Sequence, residues 1–172
     1  REGDDEIIQS NIQAMVLGRT HTSESGFTLG RLAEPQMPEY QQIMVKGNEA
    51  LSLGARAAGL GFYIGYPISP ATTILIWMEH NLIGDGKFAY QVSSEIESIT
   101  GLLGAGFAGK KAMTATAGPG FSLMSEGLGL AWMAEIPLVV VDVQRGGPAT
   151  GLPTKTEQSD LMACMYPAHG DV

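Results

Sequence analysis

From residue 47 onward the hydrophobic pattern alternates between two periods. Short β-branched or aromatic runs are separated by longer stretches in which Ala, Gly, Leu and Met recur at helical spacing. Asn48 is placed to cap a helix over 49–58, ended by Gly59 or Gly61. The run 62–66 reads as a buried strand, stopped by Pro67 and Pro70, and 72–81 as a helix. A second strand follows at 88–92, and Ser94 caps a helix over 95–108. A third strand covers 111–116, and Gly118-Pro119-Gly120 turns into a helix over 121–134. The run 137–143 is the clearest strand, a continuous β-branched segment of the kind a parallel sheet buries on both faces. A Gly/Pro/Thr loop at 146–154 and a short helix at 156–163 complete the pattern.

Ahead of this region, residues 1–18 predict a helix with Ile7, Ile8, Ile12, Met15 and Val16 on one side and Gly18 as its end. Residues 19–40 have no sustained period and read as a linker, with a domain boundary at 42–46. Strands and helices alternating through short connections predict an α/β fold, a doubly wound, mostly parallel sheet with helices on both faces. Ligands of such sheets bind beyond the carboxyl ends of the strands. Function is therefore expected in the loops 66–71, 93–95, 117–121 and 144–154.

Composition narrows the classes. With 172 residues and 44% apolar content, the chain can bury one sizeable core. Its 23 glycines are interleaved with bulky apolar residues over 101–109 and 117–131, which points to close packing and not to disorder. A net charge of −8 excludes general binding to nucleic acid or to an anionic membrane. Cys164 is the only cysteine, so no disulfide and no thiolate-held iron–sulfur or zinc site can form within the chain. The charged N-terminus is not a signal peptide, no apolar run is long enough to span a bilayer, and a cytoplasmic location is expected. A chain that starts without Met and ends on His169-Gly170-Asp171-Val172 is expected to be a piece of a longer polypeptide.

The expected loops carry the candidate chemistry. Two prolines stiffen Tyr66-Pro67-Ile68-Ser69-Pro70 and present the Ser69 hydroxyl at low entropic cost, although the same residues could simply terminate a strand. Glu95 stands in the first turn of a helix, where a carboxylate serves either the helix dipole or catalysis. Gly118-Pro119-Gly120 resembles an anion-binding turn but lacks the lysine and the spacing of the nucleotide motifs. Glycines there equally permit close approach of a flat ring or of a neighbouring subunit. Arg145 ends the best strand and enters a Gly/Pro loop, a position suited to a two-pronged grip on a carboxylate, or to an ordinary surface ion pair. His21, His80 and His169 have no metal-ligand spacing, and Met113, Met124, Met133, Met162 and Met165 read as core fillers.

Taken in order, these segments resemble one family. Tyr-Pro-Ile-Ser-Pro at 66–70, Glu95 with Gly104-Ala105, the run from Ala112 to Met124 and the run from Val143 to Gln158 are similar to the α subunit of 2-oxoacid:ferredoxin oxidoreductases. The nearest form is the 2-oxoglutarate type with a γ domain fused ahead of α. The resemblance covers residues 47–171 and implies the pyrimidine-binding domain of a thiamine-diphosphate enzyme, truncated at its C-terminus. It makes residues 1–45 the linker or tail of a preceding γ domain. It implies that the carboxylate matching Glu95 touches N1′ of the aminopyrimidine and activates the cofactor. Ser69 and Arg145 would hold the 2-oxoacid, with Ser where the family often has Thr. Tyr66, Pro67, Ile68, Gly118, Pro119 and Gly120 would line the cofactor.

The resemblance also implies a division of labour. The magnesium-diphosphate motif of thiamine-diphosphate enzymes is not completed here: Gly84-Asp85-Gly86 is followed by Gly109-Lys110-Lys111-Ala112-Met113 where an Asn is needed. No metal is assigned to this chain. Thiamine diphosphate would be shared with a β subunit that carries the Mg2+ and the iron–sulfur cluster, with CoA, a 2-oxoacid and ferredoxin as the further partners. The alternatives are a non-catalytic pyrimidine-domain module that only binds a partner, and an unrelated nucleotide-binding domain using Gly118–Gly120.

Overall fold

The computed structural model describes residues 2–28, 30, 33, 34, 36, 38–147, 151 and 155–167. The described residues fall into two units, Arg1–Gln42 and Ile43–Val172. The first contains one long helix, α1 (Glu2–Glu24). Gly18 lies inside α1 and does not end it. A lone glycine costs a helix only about 1 kcal/mol, and no proline follows to stop it. The Thr22 hydroxyl donates back to the Gly18 carbonyl at 2.9 Å. Ile7, Met15 and Val16 of α1 are exposed.

The second unit is an α/β layer structure. Its elements in chain order are α2 (Gly47–Ala57), β1 (Phe62–Gly65), α3 (Thr72–Asn81), β2 (Phe88–Gln91), α4 (Glu95–Phe107), β3 (Ala112–Thr116), α5 (Gly118–Leu123), α6 (Ser125–Met133), β4 (Val139–Asp142) and α7 (Leu161–Met165). The strands form a parallel sheet in the order β2-β1-β3-β4. The chain winds outward from β1 to β2, crosses back to β3, and continues to β4. The reversal falls between β1 and β3, which pair Phe62 with Ala112 and Tyr63 with Met113.

Alternation along β1 sorts side chains between two faces. Tyr63 joins Ile74, Leu75, Met78 and Met113 under α3 and α2. Ile64 joins Leu102, Ala105 and Ala112 under α4. Helices therefore cover both faces, as the sequence pattern requires. Ser94 caps α4 as expected, its hydroxyl accepting from the Glu97 N–H at 3.2 Å.

Four local expectations are corrected. Asn48 does not cap α2: Lys46 is the N-cap residue, with its N–H bonded to the Glu49 carboxylate at 3.1 Å. Asn48 instead donates to the Pro70 carbonyl at 3.1 Å and to Thr73 Oγ1 at 2.8 Å, a tertiary clamp on the turn after β1. The helix expected over 121–134 is two helices broken at Met124, a buried residue with φ −89° and ψ −5° whose N–H closes a tight turn onto Phe121. Strand β4 spans only 139–142 and forms an edge of the sheet, so Val139 is more than half exposed and not buried on both faces. The last helix begins at Leu161 and not at 156.

Two glycines of α4 give opposite predictions. A methyl group at Gly106 would stand 2.7 Å from the Pro137 carbonyl oxygen and 2.7 Å from Ile136 Cγ2, whereas at Gly104 it would meet nothing. Gly106→Ala is expected to destabilise the chain by about 1–3 kcal/mol through overpacking. Gly104→Ala is expected to stabilise it by up to about 1 kcal/mol through helix propensity. Urea unfolding of the two variants beside the parent checks both signs.

Candidate functional site

Because every strand runs the same way, the loops after β1, β2, β3 and β4 emerge along one edge of the sheet. Two groups of side chains are built there. The first joins the loops after β1 and β4. Arg145 is buried at 4% exposure, and its Nη1 donates to the Ser69 carbonyl at 3.1 Å across 76 residues of chain. Backbone pairing explains how it arrives: the Val143 N–H bonds the Thr116 carbonyl at 2.8 Å and carries the chain one step past β4. The Nε and Nη2 atoms of Arg145 are buried without a partner among the described residues. A guanidinium taken out of water with two donors unmatched is costly unless an anion completes it. The geometry of a fork with free donors fits a carboxylate.

The second group joins the loops after β2 and β3. Glu95 opens α4 and is 6% exposed. Gly120, in the first turn of α5, leaves room for it. A methyl group at Gly120 would stand 2.6 Å from Glu95 Oε1 and 2.8 Å from its Cγ, and would also collide with Thr116 Oγ1. Glycine is thus required by close approach and not by an unusual backbone angle. A buried carboxylate held in a cradle is the arrangement that a ring nitrogen of a cofactor can approach.

The other residues singled out from sequence are placed as follows. Ile68 is buried in the core under α3, with Ala71 and Ile74, while Tyr66 and Ser69 are exposed and Pro67 is half-buried. Gly118 and Pro119 begin α5, where the missing N–H of Pro119 costs nothing because first-turn donors have no helical acceptor. Six residues of the 146–154 loop, 148–150 and 152–154, lie outside the described residues, as does His169.

Sequence reasoning did not single out the link between the two groups. Gln144, next to Arg145, donates from Nε2 to Asp160 Oδ1 at 2.7 Å. A methyl group at Gly118 would stand 2.8 Å from Asp160 Oδ2. Asp160 thus stands against both the segment after β4 that carries Arg145 and the turn that carries Gly120. Asp160 Oδ2 and Asp142 Oδ1 are both buried without a hydrogen-bond partner among the described residues. Burial, then the Asp160 carboxylate, pushes Asp142 up to about 7, against the Cys164 thiol that donates to Asp142 Oδ2 at 3.5 Å. For Asp160, burial works upward, but the Asp142 and Gln144 side chains outweigh it and hold the group below the usual range. The only sequence signal for Asp160 was an Asp just ahead of a short apolar helix.

Comparison with known proteins bears on the same loops. The family model for the thiamine-diphosphate-binding domain of pyruvate flavodoxin/ferredoxin oxidoreductase matches residues 53–171. The chain is 51% identical over 127 residues to a 2-oxoglutarate synthase subunit KorA of Methanocaldococcus jannaschii, covering 74% of this chain and 35% of that one. It is 42% identical to a 2-oxoglutarate oxidoreductase subunit KorA of Mycobacterium tuberculosis, covering 96% of this chain and 26% of the relative. A solved 2-oxoglutarate:ferredoxin oxidoreductase from Magnetococcus marinus, with 2-oxoglutarate, coenzyme A and succinyl-CoA bound, superposes with a TM-score of 0.78 at 47% identity. That match covers 96% of this chain and 29% of the other. The chain thus spans about a third or less of the length of these relatives.

The unmatched donors of Arg145 predict a trade between stability and binding. Arg145→Met, which keeps the bulk and removes the buried charge, is expected to leave the unliganded chain as stable as the parent or more stable by up to about 2 kcal/mol. Thermal unfolding without ligand checks it, and a clear loss of stability would show that the guanidinium is fully paired.

Proposed function

We propose that this chain, which belongs to the pyruvate flavodoxin/ferredoxin oxidoreductase thiamine-diphosphate-binding family, supplies the pyrimidine-side half of an active site in a 2-oxoacid:ferredoxin oxidoreductase. The reaction is the CoA-dependent oxidative decarboxylation of a 2-oxoacid to an acyl-CoA and CO2, with electrons leaving to ferredoxin. The favoured substrate is 2-oxoglutarate, the 2-oxoacid in the names of the relatives compared. The observation that carries the reading is Arg145, a buried cation with two free donors on the sheet edge where Glu95 is also buried.

The residues present fit the pyrimidine half of thiamine diphosphate. The cradle at Gly120 keeps the Glu95 carboxylate buried yet uncrowded, and Tyr66, Pro67, Gly118 and Pro119 stand on the same edge. Ile68 supports this wall from the core side. When bound, the cofactor supplies the nucleophilic carbon and the electron sink that decarboxylation needs. Glu95 would accept a hydrogen bond from a ring nitrogen and share its proton, at an oxygen that burial shields from water. Arg145 would grip the substrate carboxylate through Nε and Nη2, while its Nη1 stays anchored on the Ser69 carbonyl. The Ser69 side chain is exposed, which leaves its hydroxyl free to donate to the 2-oxo group.

A partner β subunit completes the site in this reading. It would bring the diphosphate, its Mg2+ and the iron–sulfur cluster, since Cys164 alone cannot ligate a cluster. Residues 1–45 would be the linker or tail of a preceding γ domain and 46–172 the pyrimidine-binding domain. No helix among the described residues is long and apolar enough to cross a membrane, and a cytoplasmic location is part of the proposal.

Two measurements on the full-length chain assembled with its β partner test the reading. A panel of 2-oxoacids with CoA and a viologen dye is expected to give the highest kcat/KM with 2-oxoglutarate. Glu95→Gln is expected to lower kcat by about two orders of magnitude or more while the complex still assembles. Turnover near that of the parent would remove Glu95 from the chemistry.

A further inference from the structure

Three successive carbonyls of the turn after β1 are held by three different segments. The Ile68 carbonyl accepts from the Thr72 N–H at 3.0 Å, where α3 begins. The Ser69 carbonyl accepts from Arg145 Nη1 at 3.1 Å, from the segment after β4. The Pro70 carbonyl accepts from Asn48 Nδ2 at 3.1 Å, from the first turn of α2. The same amide nitrogen donates to Thr73 Oγ1 at 2.8 Å. A carbonyl can only accept, so Asn48 must turn its nitrogen and not its oxygen toward Pro70. The two hydrogens of that nitrogen then match the two acceptors. Asn48 is itself held in place. Ser52, fully buried one turn along α2, donates to the Asn48 carbonyl at 2.7 Å, and Leu51 and Ala55 of the same helix pack against the core under α3.

We propose that Asn48 is a positioning residue for 2-oxoacid binding: by fixing the Pro70 carbonyl it sets the Ser69 carbonyl that anchors Arg145 and the Ser69 hydroxyl beside it. This rests on the functional reading above. Ile68 and Ala71 are buried in the core and fix the turn at its two ends. Between them Ser69 is exposed and Pro70 only half-buried. Packing thus leaves the middle of the turn to its two carbonyl contacts, with Arg145 on one and Asn48 on the other. Arg145 directs its unmatched Nε and Nη2 at a ligand while Nη1 stays on Ser69. Without Asn48 the Pro70 carbonyl is free to rotate, and the Ser69 carbonyl moves relative to the guanidinium. The effect falls on substrate affinity. Glu95 is placed by α4 and the Gly120 cradle, so the proton shared at its carboxylate is left as it was.

The test uses the full-length chain assembled with its β partner. Asn48→Ala removes both donated hydrogen bonds and is expected to raise KM for 2-oxoglutarate about tenfold, with kcat within about threefold of the parent. Asn48→Asp keeps the size but sets an acceptor oxygen against the Pro70 carbonyl, so its KM should rise at least as far. A carboxylate in the first turn of a helix favours that helix. If Asn48 served only the start of α2, the Asp variant would therefore bind substrate like the parent. Thr73→Val, at an exposed position of α3, removes one of the two acceptors without touching the core and should raise KM about threefold. It decides the matter if the Asn48 variants fail to assemble. A parent-like KM in Asn48→Asp or in Thr73→Val, or a loss confined to kcat, overturns the proposal.

Amide hydrogen exchange on the same complex separates this inference from the functional reading. The Thr72 N–H is protected by the Ile68 carbonyl inside the turn that Asn48 clamps. Its exchange should quicken about tenfold in Asn48→Ala, while the amides of β3 keep the parent rate. If the parent complex oxidises no 2-oxoacid, the functional reading fails while exchange at Thr72 still decides the clamp. Equal exchange there in parent and variant overturns it.

Discussion

The backbone ladder between β1 and β3 is the contact on which the rest of the second unit depends. It pairs Phe62 with Ala112 and Tyr63 with Met113, residues separated by the whole of α3, β2 and α4. Parallel pairing requires such a crossover, because two strands running the same way cannot be joined by a tight turn. The crossover places α3 on one face and α4 on the other, and it turns Tyr63 and Ile64 into the centres of two separate cores. It also brings the end of β1 beside the end of β3. Without that pairing, the turn carrying Ser69 and the turn carrying Gly120 would have no fixed relation.

What the sheet edge then collects is charge with little water. Arg145 is buried with donors to spare, Glu95 is buried in a glycine cradle, and Asp142 and Asp160 each hold a buried oxygen with no partner among the described residues. Each of these arrangements costs stability in the free chain, since a desolvated ion or an unmatched donor is worse than an apolar side chain of the same size. Groups held this way are already oriented and stripped of solvent, so a ligand that supplies the missing partner need not reorganise them. The core under α3, with Ile74, Met78 and Tyr63 almost fully buried, is what keeps the strained edge in place.

The candidate site combines residues of very different legibility. Glu95, Ser69 and Arg145 could be singled out because each follows a strand and breaks the apolar pattern. Gly120 was visible as a glycine, but its reason, the Glu95 side chain within 2.6 Å of where a methyl would stand, was not. Asn48 looked like a cap because Asn commonly caps helices. It is a clamp on the Pro70 turn because α2 packs beside α3, a contact that local propensity does not encode. Asp160 resembled any helix-starting acid until its oxygens were seen between Gln144 and Gly118.

Sequence alone determined the kind of elements, their order and the end of the sheet where function is expected, since hydrophobic period and strand-to-helix alternation are local properties that survive without a fold. It also identified the family, through long motifs at consistent spacing. Tertiary structure alone decided which loops meet. It paired Arg145 with the carbonyl of Ser69, broke the helix at Met124, moved β4 to an edge, and set Asp160 against Gln144. These are outcomes of packing between segments distant in the chain, where burial and unmatched polar groups, and not local preference, fix the arrangement.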